Sequence, residues 1–480
     1  MTNLLYEVLR GLLRGARTVS EHAAGHPHID ASIRLGPAAA PHAEAIQTRL
    51  ADLLSDRADE VGIKRGVDAR VDVDEILGET VLVSIDGEPG AVCAWPHGAR
   101  DDETALSALV GEVDRLVRRR LSILLDVTER DRCAEQVRGV CGAADADLCR
   151  GVPEYLLDNG LSLARLEQLS GSPGFAEARS TPELAESIIG EIAPRTIPLR
   201  VPEAVLRATR ESDVNLLVTS RQHIFTKKGV QFPDIDVRPQ SDGPDQLIVR
   251  FNDVSISRGI DETLASWPAI VNSLQGLLTD HVAWFVRDED VVEAREALRW
   301  VTPDLYRLST ENISSQMLSA CLRAMLRSGE SVRNLTRIMW LLIEPYVGGG
   351  ETIRIAAVAG QLGWDIDGDA DLLACHVRTL MAEEARQGGW SDARPNAVLL
   401  PPELEEAAMS EAAEARAEAL WRIVFAARAI SSGVRIATRS AEAAQPIRKA
   451  LQALPDPPAV VAEQEMPLDI VVPTLTPDPI

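Results

Sequence analysis

The residues best suited by type to do chemistry are three histidines, His22, His26 and His28, in the segment HAAGHPH. The spacing of His22 and His26 sets two imidazoles on one helical face, the arrangement of a zinc-binding pair. Gly25 and Pro27 interrupt the helix where it is needed, and no cysteine or carboxylate triad stands beside it. A polar loop is expected instead. Asp365, Asp367, Asp369 and Asp371, in DIDGDAD, alternate as aspartates do in a calcium loop. An EF-hand loop needs Gly at its sixth position and Glu at its twelfth. Counted from Asp365 those positions hold Ala370 and His376, so a solvated acidic turn is expected.

Catalytic templates are missing. The sequence holds no G-x-S-x-G, H-E-x-x-H, Walker-type phosphate loop or strand-following G-x-G-x-x-G. Sites built from carboxylates leave no short signature, so an enzyme working with scattered Asp, Glu and Arg between two modules stays open as an alternative. The six cysteines, Cys93, Cys133, Cys141, Cys149, Cys321 and Cys375, form no C-x-x-C pair. They read as free thiols, and no metal, disulfide or cofactor is expected.

Two features point to protein partners. The run RLVRRR places Arg115, Arg118 and Arg119 on an otherwise amphipathic helix of an acidic chain. It reads as a solvated face or as internal ion pairs with the chain's own carboxylates, or else as a dock for an acidic partner. Near the N-terminus, Leu4, Leu5, Val8, Leu9, Leu12 and Leu13 line one side of a helix, with Arg10, Arg14 and Arg17 elsewhere. Such a helix packs on its own module or in a groove of another protomer or partner. Leu5, Leu9, Leu12, Leu13, Arg115, Arg118 and Arg119 are the candidate partner-binding residues.

The elements that must position these residues follow from composition and periodicity. A chain of 480 residues suggests roughly three domains. Its 45% hydrophobic content supports packed cores, while 4% aromatic leaves the packing to Leu, Val, Ile and Ala. The net charge of −24 disfavours nucleic acid and anionic membranes, which both require clustered Lys and Arg. No segment reaches the ~18 consecutive apolar residues of a membrane helix. The first residues lack the layout of a signal peptide, so a cytoplasmic location is expected.

One pattern occurs twice. IDASIRLG reads as a strand, Pro41 to Val61 as a helix closed by Gly62, and ARVDVDEI and TVLVSIDG as two strands joined by a hairpin or tight connection at Leu77 and Gly78. TIPLRV, a helical stretch ending at Gly229, FPDIDVRP and QLIVRFND repeat this order, with Asp242, Gly243 and Pro244 as the turn. An amphipathic helix follows each copy, lined by Leu106, Leu109, Val113, Leu116 and Val117, or by Ile270, Leu274, Leu277, Leu278 and Val282. A helix–Gly–helix element comes next, stopped at Gly160 or Gly329 and capped by Ser162 or Ser331. After Gly348–Gly350 the sequence reads as short helices, a strand at NAVLLPP, a long helix from Glu403 to Ala429, and strand–helix–strand in VRIAT, QPIRKALQAL and AVVAEQ.

The fold class is therefore α/β (α+β): two tandem βαββ-plus-helical modules followed by a C-terminal βαβ-like domain. The expected divisions are 1–28 for the N-terminal helix and loop, 29–180 and 181–346 for the modules, 347–465 for the C-terminal domain and 466–480 for an extended tail.

Within the second module, GVQFPDIDVRPQSDGPDQLIVRFNDVSISRG (Gly229 to Gly259) resembles the FHIPEP family, the cytosolic domain of the flagellar and type III secretion export gate. AMLRSGESVRNLTRIM, Ala324 to Met339, is similar to a helical signature of that family. VRIATRSAEAAQPIRKALQALPDPPAVVAEQEMP is similar to its closing strand, helix and strand. Together these cover about half the chain. The family's members carry several membrane helices, and a further small domain inside the module that takes part in docking chaperones and cargo. The intervals Gly259–Ser266 and Ala91–Thr104 are too short to hold that domain. The resemblance thus implies a fold, an absence of catalysis, and self-association into rings. It makes the chain a protein-binding scaffold or adaptor, with a soluble subunit of a larger secretion or defence assembly as a further alternative.

Overall fold

In the computed structural model the described residues are 28–96, 99, 101–141, 146–169, 175, 177–209, 211–240, 246–259, 264, 266–347, 370–387, 397–428 and 435–462. The chain divides into two compact units, one from Met1–Arg132 with Thr379–Ile480, the other from Cys133–Arg378. Leu5, Leu9, Leu12 and Leu13, with the helix expected around them, lie outside the described residues. So do His22, His26, Asp365–Asp369 and the tail from Met466.

The first unit opens with β1 (His28–Leu35), α1 (Ala43–Glu60), β2 (Gly66–Val73), β3 (Thr80–Ile85), β4 (Glu88–Ala94) and α2 (Asp102–Arg118). Ile29, Ala31, Ile33 and Leu35 are fully buried, the period-two pattern of a strand with one face on a core. β1 runs parallel to β2 and antiparallel to β3. A parallel neighbour demands a crossover, which α1 supplies while burying Ile46, Leu50, Leu53, Leu54 and Ala58. Gly62, at φ +78°, ends that helix, and the Ile63 amide donates to the Ala58 carbonyl at 2.8 Å.

Two expectations need correction here. β2 and β3 are not a hairpin, because they flank β1 in the order β2-β1-β3-β4. The first sheet also has a further strand. Asp86 (φ +48°) and Gly87 (φ +84°) form the two-residue turn that joins β3 to β4. β4, EPGAVCA, carries Pro89 and Gly90 and does not alternate, so it gives no period-two signal.

α3 (Val127–Cys141) leads into the second unit, which continues with α4 (Ala146–Asp158), α5 (Thr181–Ile192), β5 (Thr196–Pro202), α6 (Glu203–Ala208), α7 (Glu211–Lys228), β6 (Asp234–Gln240), β7 (Gln246–Phe251) and β8 (Val254–Gly259). Its sheet is ordered β6-β5-β7-β8, with β6 parallel and β7 antiparallel to β5. The strand order and directions match those of the first sheet. As there, the two expected hairpin strands flank the central one, and an extra strand follows a tight turn, here at Asn252 (φ +51°). The helical stretch from Glu203 breaks at Thr209, whose hydroxyl donates to the Val205 carbonyl at 2.9 Å and whose backbone is extended.

The remaining helices are α8 (Trp267–Asp280), α9 (Asp288–Val301), α10 (Pro303–Asn312), α11 (Ser315–Arg327), α12 (Leu335–Val347) and α13 (Ala370–Gln387). Gly160 (φ +71°) and Gly329 (φ +85°) stop α4 and α11 alike, with Leu161 N–H on the Leu156 carbonyl and Glu330 N–H on the Met325 carbonyl. Beyond the glycines the two elements differ. Ser162 accepts from the Ala164 amide at 3.3 Å and caps a 3-10 turn, Leu163–Gln168. Ser331 accepts from Arg333, and the capping oxygen of α12 comes from Asn334, to which the Arg337 amide donates at 3.2 Å.

Asp253, 3% exposed, ties the Gly160 element to the second sheet. It accepts from the Ser162 amide at 3.0 Å and from Arg165 Nε at 2.7 and 2.6 Å. An element grouped by sequence order with the first module thus anchors to the sheet that follows it.

The chain returns to the first unit with β9 (Ala397–Leu399), α14 (Pro402–Ala408), α15 (Ala413–Arg428), β10 (Arg435–Thr438), α16 (Ala441–Leu451) and β11 (Val460–Ala462). The three strands are parallel, in the order β11-β10-β9. The single long helix expected from Glu403 is two, broken at Met409–Ser410, where Ser410 Oγ accepts from the Ala412 amide at 3.2 Å. Trp421, Ile423, Val424 and Ile447 share one core with Leu82 of β3 and Val92 of β4. The Val92 amide donates to the Ala453 carbonyl at 2.9 Å, which covers the β4 edge.

Candidate interaction surface

α2 ends in the arginine run, and the first unit uses that run internally. Arg115 donates to Glu112 at 2.9 and 2.5 Å. Arg118, only 2% exposed, pairs with Asp114 at 2.9 Å and with Glu60 of α1 at 3.5 Å. Burial pushes its pKa down, against the pull of Asp114. Arg119 reaches the Leu454 carbonyl at 3.3 Å, and Arg120 pairs with Glu88. Of the two sequence readings, these contacts are those of a face paired with the chain's own groups. Arg115 keeps 36% of its side chain exposed.

The thiols that could carry covalent chemistry are sequestered. All six cysteines are buried. Burial pushes the thiols of Cys93 and Cys321 up to about 12 and that of Cys141 to about 11, far from the thiolate that reacts. Among the described residues no three His, Cys, Asp or Glu side chains are grouped to hold a metal. A cleft of the second unit, walled by Pro194, Pro233, Trp284 and Phe285, has a cavity volume of about 40 Å³. That is well below the ~300 Å³ at which small-molecule sites begin. Asp288 at its rim is pushed up by burial, yet both its oxygens are held by α11: Ser319 donates to one at 3.1 Å and Gln316 to the other at 3.2 Å.

His376 of α13, 3% exposed, is held neutral. Burial lowers its pKa from 6.5 to about 4, against a weaker hydrogen-bond pull from the Leu341 backbone. The folded value lies below the unfolded one, so between them the unfolded chain binds a proton that the folded chain does not. Above about pH 6.5 this costs nothing, and as the pH falls to about 4 it should remove about 3 kcal/mol of stability. His376→Leu should therefore lose less stability than wild type in urea melts compared at neutral and acid pH. Parallel losses in the two proteins would refute the assignment.

The second unit exposes several large apolar side chains. Trp300 and Val301, 84% and 77% exposed, project at the corner where α9 gives way to α10. The buried residues of α9 include Val291 and Leu298, and Trp300 lies about 200° around the helix from Leu298. The Arg299 guanidinium lies 5.9 Å from the centre of the Trp300 ring. Val218 (64%) and Phe225 (44%) line up two turns apart on α7. Large apolar side chains grouped in water mark binding surfaces. Sequence reasoning did not select Trp300, although its departure from the buried phase of α9 is legible in EALRWVTP.

No helix among the described residues is long and apolar enough to cross a membrane. No family model matches this chain, and no curated protein matches it. Among solved structures it is similar to CdsV of Chlamydia pneumoniae, determined in complex with CdsO, at 17% identity over 58% of this chain and 96% of that one, with a TM-score of 0.45. It is similar to MxiA of Shigella flexneri at 16% identity over 59% of this chain and 98% of that one, TM-score 0.43. It is also similar to the nonameric EscV cytosolic domain from the type III secretion system, at 13% identity over 59% and 97%, TM-score 0.44.

Proposed function

We propose that this chain is a non-catalytic protein-binding scaffold or adaptor with the build of an export-gate cytosolic domain. The observation that carries the binding role is the Trp300–Val301 corner, which exposes two large apolar side chains side by side in a strongly acidic chain. Trp is among the residues most often dominant in protein interfaces. The sequestered thiols and the small cleft favour binding over catalysis. The FHIPEP resemblance adds a cytoplasmic location and self-association to the proposal. The proposal keeps Leu5, Leu9, Leu12 and Leu13, with Arg115, as partner contacts, 29–180 and 181–346 as tandem modules, and 347–465 as a C-terminal domain.

The test places a photo-crosslinking amino acid at position 300 of the full chain in cells. A crosslinked protein is then purified and titrated against wild type and the Trp300→Ser/Val301→Ser variant. Binding weakened by about thirtyfold or more is the expected result, the loss of one interface anchor. A position 300 that crosslinks to no protein, or a partner that binds the variant equally well, would overturn the reading.

A further inference from the structure

β2 and β6 occupy the same place in two like sheets. Among the described residues each is an edge strand laddered on one side only, to β1 and to β5. Aligned from their first residues, they share a charge motif on the exposed row: Asp68 and Arg70 in β2, Asp236 and Arg238 in β6. Both motifs close on themselves, Arg70 on Asp68 at 3.0 Å and Arg238 on Asp236 at 2.6 Å. The next position separates them. β6 has Pro239, which takes one amide out of the edge, a common guard against strand addition. β2 has Val71 there and no proline in its eight residues.

The exposed row of β2 reads Asp68, Arg70, Asp72, so its charges alternate. An antiparallel second copy can meet this edge in a few registers, and charge decides among them. With Arg70 opposite Arg70, Asp68 also faces Asp72, and every charged pair is like-signed. With Val71 opposite Val71, Arg70 meets Asp72 twice but Asp68 meets Asp74. With Ala69 opposite Ala69, Asp68 faces Arg70 twice and Val67 faces Val71 twice, with no like-charge pair. Directly opposed charges of opposite sign stabilise a sheet, and like charges destabilise it. Gln47 of α1 donates to the Ala69 carbonyl at 2.6 Å, and a carbonyl oxygen keeps a second lone pair for an incoming amide.

We infer that β2 is a self-association edge, pairing antiparallel with β2 of a second copy of this chain about a twofold axis at Ala69. The inference deepens the scaffold reading by naming one partner, and that contact closes as a dimer rather than a ring.

Sedimentation of the full chain over a range of concentrations should show a monomer–dimer equilibrium. Arg70→Asp turns the row uniformly acidic and should weaken the dimer tenfold or more. The swap Asp68→Arg/Arg70→Asp recreates both opposite-sign pairs in the same register and should restore most of it. Val71→Pro, which copies the guarded strand β6, should abolish it. The altered charges are on exposed side chains, 54% for Asp68 and 61% for Arg70, so circular dichroism should be unchanged. A monomer at every concentration, or a dimer indifferent to Arg70→Asp, overturns the proposal; so does a double swap no better than the single. Trp300→Ser/Val301→Ser should leave the dimer intact, so failure of this inference and failure of the binding reading are told apart.

Discussion

Arg323→Ala should cost the second unit about 3–5 kcal/mol, enough to unfold a marginal domain. Arg323 is fully buried in α11, at 0% exposure. Its guanidinium donates to the Ala283 carbonyl at 2.6 Å, to the Val286 carbonyl and to Asn159 at 3.3 Å, and it pairs with Glu186 at 2.6 Å. Glu186, 1% exposed, also accepts from the Tyr155 hydroxyl at 2.7 Å. Burial raises the pKa of that hydroxyl well above its ordinary value, so it stays a donor. Truncating Arg323 strands a carboxylate and two carbonyls away from water. The loss is therefore mostly the penalty on the groups left behind, not the worth of the pair. Removing both charges tests this directly. Arg323→Met/Glu186→Met should be distinctly more stable in urea than Arg323→Met alone. A double variant no better than the single would mean that the carbonyl bonds, not the ion pair, dominate.

Trp421→Ala should cost the first unit a similar amount, about 3–5 kcal/mol, by a different route. Trp421 is 3% exposed on α15, 5.7 Å from Phe425 in ring stacking, and it sits in the core shared with Leu82 and Val92. Its indole N–H donates to the Gly87 carbonyl at 3.2 Å, the turn that joins β3 to β4. Alanine opens a large cavity and frees the turn, whereas Trp421→Phe keeps most of the volume and should lose about 1–2 kcal/mol. Hydrogen exchange would read both, through amides of β3, β4 and α15. Equal losses for Phe and Ala would show that the Gly87 bond, and not packing, matters there.

The sequence made some of this architecture legible and concealed the rest for physical reasons. β1, β3, β5 and β7 announce themselves because one face or both meet a core, and their apolar residues are β-branched or aliphatic. β4 hides behind Pro89 and Gly90. The order of β2 and β3 is not legible because adjacent strands usually neighbour each other, while here β1 lies between them and the Leu77–Gly78 segment spans it. Gly160 and Gly329 were correct as helix stops, since a left-handed residue suits glycine, but a serine two positions later specifies no particular partner. The arginine run could not be resolved in advance: sequence shows charges, not the Asp114, Glu60 and Glu112 that satisfy them. Trp300 was overlooked because an exposed aromatic is defined by what fails to touch it.

The first unit is assembled from the two ends of the chain, with Cys133–Arg378 between them. During synthesis its β3–β4 hairpin emerges long before the α15 and α16 residues that share its core. At ~5–20 residues per second, that interval is on the order of tens of seconds. Until then Leu82, Val92 and the backbone of β4 stand uncovered, while the second unit already has all of its own strands. The nascent chain therefore passes through a stage with one unit complete and the other open, which makes the first unit the place where a chaperone, or a stray second chain, finds its opportunity.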